Sequence, residues 1–445
     1  MARRLWPAFV ALLCAAVASG AASAVNVKTL RAPRGEEVWY VSDHTLPMIA
    51  MSVALPAGSA YDPPGKFGLA TFAASLLDEG AGGLNSSAFQ TALANRAIRL
   101  SVSPGRDCLV ISMVTLTDNA RDAFRLLGLA LSRPRFDADA IARVRAQILT
   151  SLAQEDEDPA SVAAKGFFRA YFHDHPYAHP VSGDAAGISA INQADLKAFA
   201  TDHWVRGDLR VAVSGDIDPA TLATLLNSAF GRLPARTPPP VPWVGHVGQK
   251  GIQIIAMAVP QPTTVFGMPG LLRSDRDFIP AYVANYILGG GGFSSRLTNE
   301  VREKRGLTYD ISTSLYAFRR AGVVIGEFAT KQGSVRQAIA VTRDTLKDFS
   351  ANGPTDKELA DAKTFLTGSF PLGFGSNVGI ASELNAFQQD GLPVDYVQKR
   401  NGYIDAVTID DVKRVAKRLF NPGAMTVVIG GNPDMPAKAG AAAHR

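Results

Sequence analysis

Cysteine is nearly absent. The 445 residues contain two, Cys14 and Cys108, and Cys14 falls in the apolar N-terminal stretch, so no internal disulfide framework can hold the remainder together. An excess of one charge is lacking too. Lys and Arg number 45 against 40 Asp and Glu, a formal net charge of +5, which is no signature of a nucleic-acid binder. No second apolar run of about 18 residues follows the N-terminal one, which excludes further membrane-spanning helices. Familiar catalytic motifs are missing as well. Neither H-E-x-x-H nor H-x-x-E-H occurs, and Gly373-Phe374-Gly375-Ser376-Asn377 lacks the spacing of a G-x-S-x-G elbow. Gly289-Gly290-Gly291-Gly292 is not followed by the Lys of a phosphate loop, and Ser294 or Ser295 stands where G-x-G-x-x-G needs its last glycine. Cys108 lies in an apolar strand pattern and reads as inert core.

Against these absences, the N-terminus carries a positive signal. Arg3 and Arg4 precede an apolar run from Phe9 to Val17, and Ala22-Ser23-Ala24 supplies small residues. This is the pattern of an export signal cleaved after Ala24, with an uncleaved anchor as the alternative; the shortness of the apolar core favours cleavage. Leu12-Leu13 before Cys14 argues against lipid attachment. The expected location is the periplasm.

With 47% hydrophobic residues, the remainder can bury large cores, and its length predicts more than one domain. Ile49 to Leu55 alternates at period two, Leu69 to Leu77 reads as an apolar helix, and Cys108 to Val114 as a buried strand. Helices are predicted over Asp118–Leu131, Asp137–Gln154 and Ser161–Phe172. The fold class is α+β, helices packed on mainly antiparallel sheets. Between Leu233 and Val244 five prolines forbid regular pairing and favour an extended linker. The expected division is therefore a domain over residues 25–233, a linker over 234–248 and a second domain over 249–445.

The two domains repeat each other. Ile188-Ser189-Ala190-Ile191 and Asp195-Leu196-Lys197 match Ile404-Asp405-Ala406-Val407 and Asp411-Val412-Lys413 at one displacement of 216 positions. That displacement also carries Val211 to Asp216 onto Val427 to Asn432. Agreement of several pieces at one offset points to a duplicated domain.

Two clusters carry candidate chemistry. His173, His175 and His179 are close enough in sequence to bind a divalent ion, or else line a polar loop shaped by Pro176 and Pro180. Elsewhere, Ser294 or Ser295 can cap a helix with Leu297 and Val301 four apart. Gly306 stops it, and Thr308 to Leu315 read as a strand. Arg302 and Tyr309 then converge from helix end and strand start, where their N–H and O–H donors can hold a carbonyl oxygen or a developing oxyanion. The plainer alternative makes Glu300, Arg302, Glu303, Lys304 and Arg305 a solvated helix face, with Tyr309 half buried in a sheet.

Leu288-Gly289-Gly290-Gly291-Gly292-Phe293-Ser294-Ser295-Arg296-Leu297, followed by Glu300 to Tyr309, resembles the C-terminal-domain signature of the pitrilysin/insulinase zinc peptidases. Pro56-Ala57-Gly58-Ser59, Gly68-Leu69-Ala70 and His175-Pro176-Tyr177 extend the resemblance over nearly the whole chain. It implies two homologous α+β domains forming half of a clamshell. It also implies where chemistry is lost. Active members carry H-x-x-E-H directly after Gly-Leu-Ala, with zinc on the two His and the Glu as general base. Here Thr71-Phe72-Ala73-Ala74-Ser75 takes that place. The family's third ligand, a Glu on a later helix, would fall near Thr150-Ser151, and Glu155 and Asp156 lie a turn or more away. By contrast Arg302 and Tyr309 match the family's substrate-gripping pair. The resemblance thus implies a noncatalytic subunit that binds no cofactor itself and partners a homologous zinc-bearing subunit. Arg302, Tyr309, Gly290, Gly291 and Gly292 would meet the peptide substrate. The rivals are a structural or peptide-binding clamshell with no part in hydrolysis, and a metalloenzyme built on the three histidines.

Overall fold

The computed structural model describes residues 25–249 and 251–434; the export-signal stretch, with Arg3, Arg4, Cys14 and Ala22-Ser23-Ala24, lies outside the described residues. In the first half, β1 (Lys28–Arg31), β2 (Glu37–Ser42), β3 (Met48–Leu55), β6 (Arg99–Pro104), β7 (Leu109–Leu116) and β8 (Arg210–Gly215) form one sheet in the order β1-β2-β8-β3-β7-β6. A small hairpin of β4 (Gly80–Ala81) and β5 (Leu84–Asn85) stands apart. The second half builds a sheet from β9 (Gly251–Ile255), β10 (Thr263–Pro269), β11 (Ile311–Phe318), β12 (Ala321–Ala329) and β13 (Thr426–Gly430), ordered β11-β12-β10-β13-β9.

These orders are the same five-strand plan used twice. β8 pairs parallel with β2 and antiparallel with β3; β13 pairs parallel with β9 and antiparallel with β10. The helix before each of these strands starts with a capping box, Asn192 with Asp195 and Thr408 with Asp411, which satisfies orphan N–H groups reciprocally. Gly215 and Gly431 end the equivalent strands at φ +143° and +138°. Each box, strand and glycine recurs at the displacement read from the sequence. The fold is α+β with two homologous halves.

The long helices fall close to their expected places, at Ala120–Ser132, Ala138–Glu157 and Pro159–Phe172, and the Leu69 helix ends at Ser75. Between Phe230 and Gly251 no described residue is in a helix or strand. The alternation in β3 has a different cause from the one expected of a half-exposed strand. All but its first residue are buried. Ile49, Met51, Val53 and Leu55 enter the first core, while the small side chains of Ala50, Ser52 and Ala54 share the face where Trp39, Val41 and Ala212 meet Ile380 and Leu384 of the Asn377–Gln389 helix. Ser214, paired with Ala50, donates its hydroxyl to Asn377 Oδ1 at 2.6 Å.

That helix belongs to the second half of the chain. The exchange is mutual, because the Pro159–Phe172 helix of the first half packs Phe167 and Tyr171 against Val265 and Val428 of the second sheet. A Cβ at Gly267 would stand 2.4 Å from Phe167 Cζ, so close approach needs the bare backbone. At the same junction Tyr177 donates to Asp107 Oδ1 at 2.5 Å, the Arg319 N–H donates to Asp107 Oδ2 at 3.0 Å, and Arg319 pairs with Asp208.

Candidate functional site

The Leu69–Ser75 helix sits where the zinc helix is expected, and its polar groups satisfy one another. Thr71 Oγ1 donates to the Val181 carbonyl at 2.6 Å, and Ser75 Oγ donates to the Thr71 carbonyl at 2.9 Å. Ala74, at the general-base position, is 1% exposed within the first core. The N-terminus is capped from a distance, Asp62 accepting from Gly68 N–H and Ala70 N–H at 2.7 Å each. Burial nevertheless pushes the Asp62 carboxyl up to about 7, against the pull of these two bonds.

The third ligand position needs correcting. Thr150 and Ser151 are exposed, and Thr150 Oγ1 bonds back to its own helix at Ala146. The inward residue at this level is Leu152, 3% exposed and part of the first core. The i, i+3/i+4 series Ile141, Val144, Ile148, Leu152 carried that signal in the sequence. Glu155 is held by Ser182 and Lys165 at 3.0 Å each, and Asp156 by Lys165 at 2.9 Å. The two histidine positions offer hydroxyls turned to carbonyls, the base position a methyl group and the third ligand position a leucine, so they do not fit a metal ion.

The histidine cluster is also committed elsewhere. His175 accepts from the Tyr177 N–H at 3.1 Å and pairs through Nε2 with the Pro242 carbonyl at 2.9 Å, which spends both ring nitrogens. His179 stacks on Phe67 at 4.4 Å and bonds the Pro180 carbonyl, and burial lowers its affinity for a proton. His173 caps the Pro159–Phe172 helix at φ +52°. Among the described residues no group of three His, Cys, Asp or Glu stands ready to hold a metal ion. Burial pushes the Cys108 thiol up to about 12, leaving it unreactive.

The glycine segment is arranged differently. After the Phe278–Asn285 helix, Tyr286–Gly290 widens into a π turn, a feature frequent at functional sites. Asn285 Nδ2 donates to the Thr313 carbonyl on β11 at 3.0 Å, and a Cβ on Gly289 would stand 2.4 Å from Thr313 Oγ1. The glycines therefore let this turn lie against the edge strand. Gly292 takes φ +57°, reversing the chain so that Phe293 points outward at 74% exposure. Ser295, buried, donates to Thr298 Oγ1 at 3.0 Å, and Thr298 donates to the Ile311 carbonyl at 3.3 Å. This relay ties the following turn, Thr298–Glu303, to the start of β11.

Along that turn Leu297 and Val301 are fully buried in the second core. The expected helix is a π turn that ends at Glu303, three residues before the predicted stop, and the chain leaves it through Gly306, whose φ is +59°, with Gly306 N–H on the Arg302 carbonyl at 2.7 Å and Leu307 N–H on the Val301 carbonyl at 3.0 Å. The strand does not begin at Thr308, as predicted, but at Ile311. Thr308 instead donates its hydroxyl to the Asp310 and Ala329 carbonyls. Tyr309 therefore precedes the pleat and stands 84% exposed rather than half buried in a sheet.

Most charges here pair locally. Arg296 grips Glu358 at 2.6 Å and Asp348 at 3.2 Å, and Lys304 and Arg305 both hold Glu300, at 2.5 and 2.7 Å. Arg302 does otherwise. Its side chain makes no hydrogen bond to any described residue and has one long ion pair, to Glu303 at 3.5 Å from Nε. Its guanidinium carbon lies over the Tyr309 ring at 5.0 Å and over the Phe293 ring at 4.4 Å. The structure thus brings Arg302 and Tyr309 together and adds Phe293; Gly290 and Gly292 are exposed. Sequence reasoning missed that second ring because a lone exposed aromatic after glycines carries no periodicity.

Comparison with known proteins follows the same division. The pattern described as Insulinase (Peptidase family M16) matches residues 37–185, and that described as Peptidase M16 inactive domain matches residues 190–366. A curated Helicobacter pylori relative, Non-peptidase homolog YmxG, is 28% identical over 399 residues, 89% of this chain and 91% of that one. An uncharacterized zinc protease of Streptomyces coelicolor is 28% identical over 303 residues, 66% of this chain and 65% of its own. The crystal structure of a peptidase M16 inactive domain from Pseudomonas fluorescens superposes with a TM-score of 0.86 at 28% identity, covering 93% of this chain and 99% of that one. A Helicobacter pylori protease structure shares the fold at 17% identity, with a TM-score of 0.81 over 91% of this chain and 99% of that one.

Proposed function

For a chain that belongs to the M16 insulinase family of peptidases but lacks the family's metal ligands, we propose the role of noncatalytic subunit in an exported peptide-hydrolysing heterodimer. Peptide hydrolysis needs a metal-activated water and a carbonyl fixed in front of it. A homologous zinc-bearing subunit would supply the first. This chain supplies the second through Arg302 and Tyr309, whose donors meet the substrate carbonyl or the oxyanion that develops from it. Gly290, Gly291 and Gly292 offer backbone groups beside the pair. The periplasm is the proposed compartment.

One observation carries this reading. In a segment where every other cation is hydrogen-bonded to a carboxylate, Arg302 has only a long ion pair to Glu303, 3.5 Å from Nε, and keeps its N–H donors free of hydrogen bonds next to an exposed Tyr309, while Thr71, Ala74 and Leu152 have been absorbed into the first core or its hydrogen bonds. Co-expression with a zinc-bearing M16 homologue from the same genome tests it. The pair should co-purify and cleave peptides, each subunit alone being inactive. Arg302→Ala should lower kcat/KM on the order of a hundredfold, the scale of removing one oxyanion donor. Turnover unchanged by loss of both Arg302 and Tyr309 would reduce the protein to a structural or peptide-binding clamshell.

A further inference from the structure

Phe293 is the feature least explained by folding. Its ring is 74% exposed and so contributes little to either core, and the residue before it, Gly292, adopts a left-handed φ of +57°. Among the described residues a single guanidinium lies over this ring. The Arg302 guanidinium carbon sits 4.4 Å from the Phe293 centroid, nearer than the 5.0 Å to Tyr309. Cation–π attraction at such distances orients an arginine without using any of its N–H donors.

We propose that Phe293 is a positioning residue, the ring that sets the Arg302 guanidinium in place so that its N–H groups are aimed before substrate arrives. The inference rests on the reading of Arg302 as the substrate grip. Without the ring, a long side chain whose nearest carboxylate is Glu303 at 3.5 Å would sample several rotamers, and each binding event would have to order it. With the ring, that ordering is already present. Tyr309 alone is a poorer holder because its hydroxyl end is itself engaged with substrate in this scheme. The glycine run acquires a second purpose: beyond fitting against β11, it delivers Phe293 to the guanidinium.

Two measurements test this on different samples. In the isolated protein carrying labelled arginine, the Arg302 Nε–H resonance, identified by its loss in Arg302→Lys, should be displaced by the ring current. Phe293→Leu should move it towards the free-arginine position, leaving the smaller displacement due to Tyr309, while Phe293→Tyr should keep it displaced. Thermal stability should stay unchanged throughout, since the ring is exposed. In the complex with the zinc-bearing subunit, Phe293→Leu should lower kcat/KM roughly three- to fivefold, the range of an exposed cation–π contact, and Phe293→Tyr should restore it. A Phe293→Leu protein that keeps both the displaced resonance and full turnover overturns the positioning role, even if Arg302→Ala is inactive. Full turnover of Arg302→Ala instead overturns the grip on which the inference rests.

Discussion

The two halves place their chemistry in the same connection and treat it in opposite ways. In the plan used twice, β3 corresponds to β10 and β6 to β11. The Leu69–Ser75 helix lies on the chain between β3 and β6, and the segment from Tyr286 to Tyr309 lies between β10 and β11. The first connection has turned inward: Ala74 is core, and the Thr71 and Ser75 hydroxyls close on backbone carbonyls. The second uses buried hydrogen bonds at Asn285, Ser295 and Thr298 to hold Phe293, Arg302 and Tyr309 outside. A duplicated architecture can thus lose function in one copy by letting a site pack, because packing is what residues released from metal binding gain most from.

The contrast is broken most severely by returning charge to the first connection. Ala74→Glu places an unpaired carboxylate in a 1% exposed position. It should cost about 3–5 kcal/mol, read as a lower denaturant midpoint. Next in size is the pH response of Asp62. Its carboxyl is raised by burial to about 7 in the folded chain from about 4 when unfolded, so the folded state holds a proton that the unfolded state releases. Stability from this group is fully present below about pH 4, falls as pH rises towards about 7, and is flat above. Asp62→Asn should remove that slope from melting curves taken across the range, and an unaltered slope would assign it to other groups.

Smaller effects belong to the second connection. Ser295→Ala removes the first donor of a buried relay and leaves Thr298 short of a partner, which should cost about 1–2 kcal/mol. It should also loosen Tyr309, seen as faster amide exchange at residues 308–311. Smallest in stability is Arg302→Ala, expected to move unfolding by less than about 0.5 kcal/mol because the side chain has no hydrogen-bonded partner among the described residues. The same change carries the large loss of turnover proposed above. Stability and activity should therefore separate in the second connection, while the first has only stability to lose.

Much of this was legible in the residues. The common displacement of 216 positions announced the doubled plan, to which the structure adds the capping boxes at Asn192 and Thr408, each built from side chains three residues apart. Thr71, Ala74 and Ser75 announced the emptied metal site, because zinc needs particular atoms. Other features depend on distance through space. The Ile311 start of β11 was misread as Thr308, since Thr308 spends its hydroxyl on the carbonyls of Asp310 and Ala329.

By itself, then, the sequence determined which atoms are available: two related α+β halves, no metal ligands in the first, and an arginine and a tyrosine at fixed spacing in the second. Those follow from local periodicity and from the chemistry of single side chains. Only the tertiary structure decided that the halves exchange helices across Gly267 and Ser214. It alone decided too that Arg302, without the hydrogen-bonded carboxylates that absorb Arg296, Lys304 and Arg305, faces the rings of Phe293 and Tyr309. A cation's partners are chosen by what folding brings within reach.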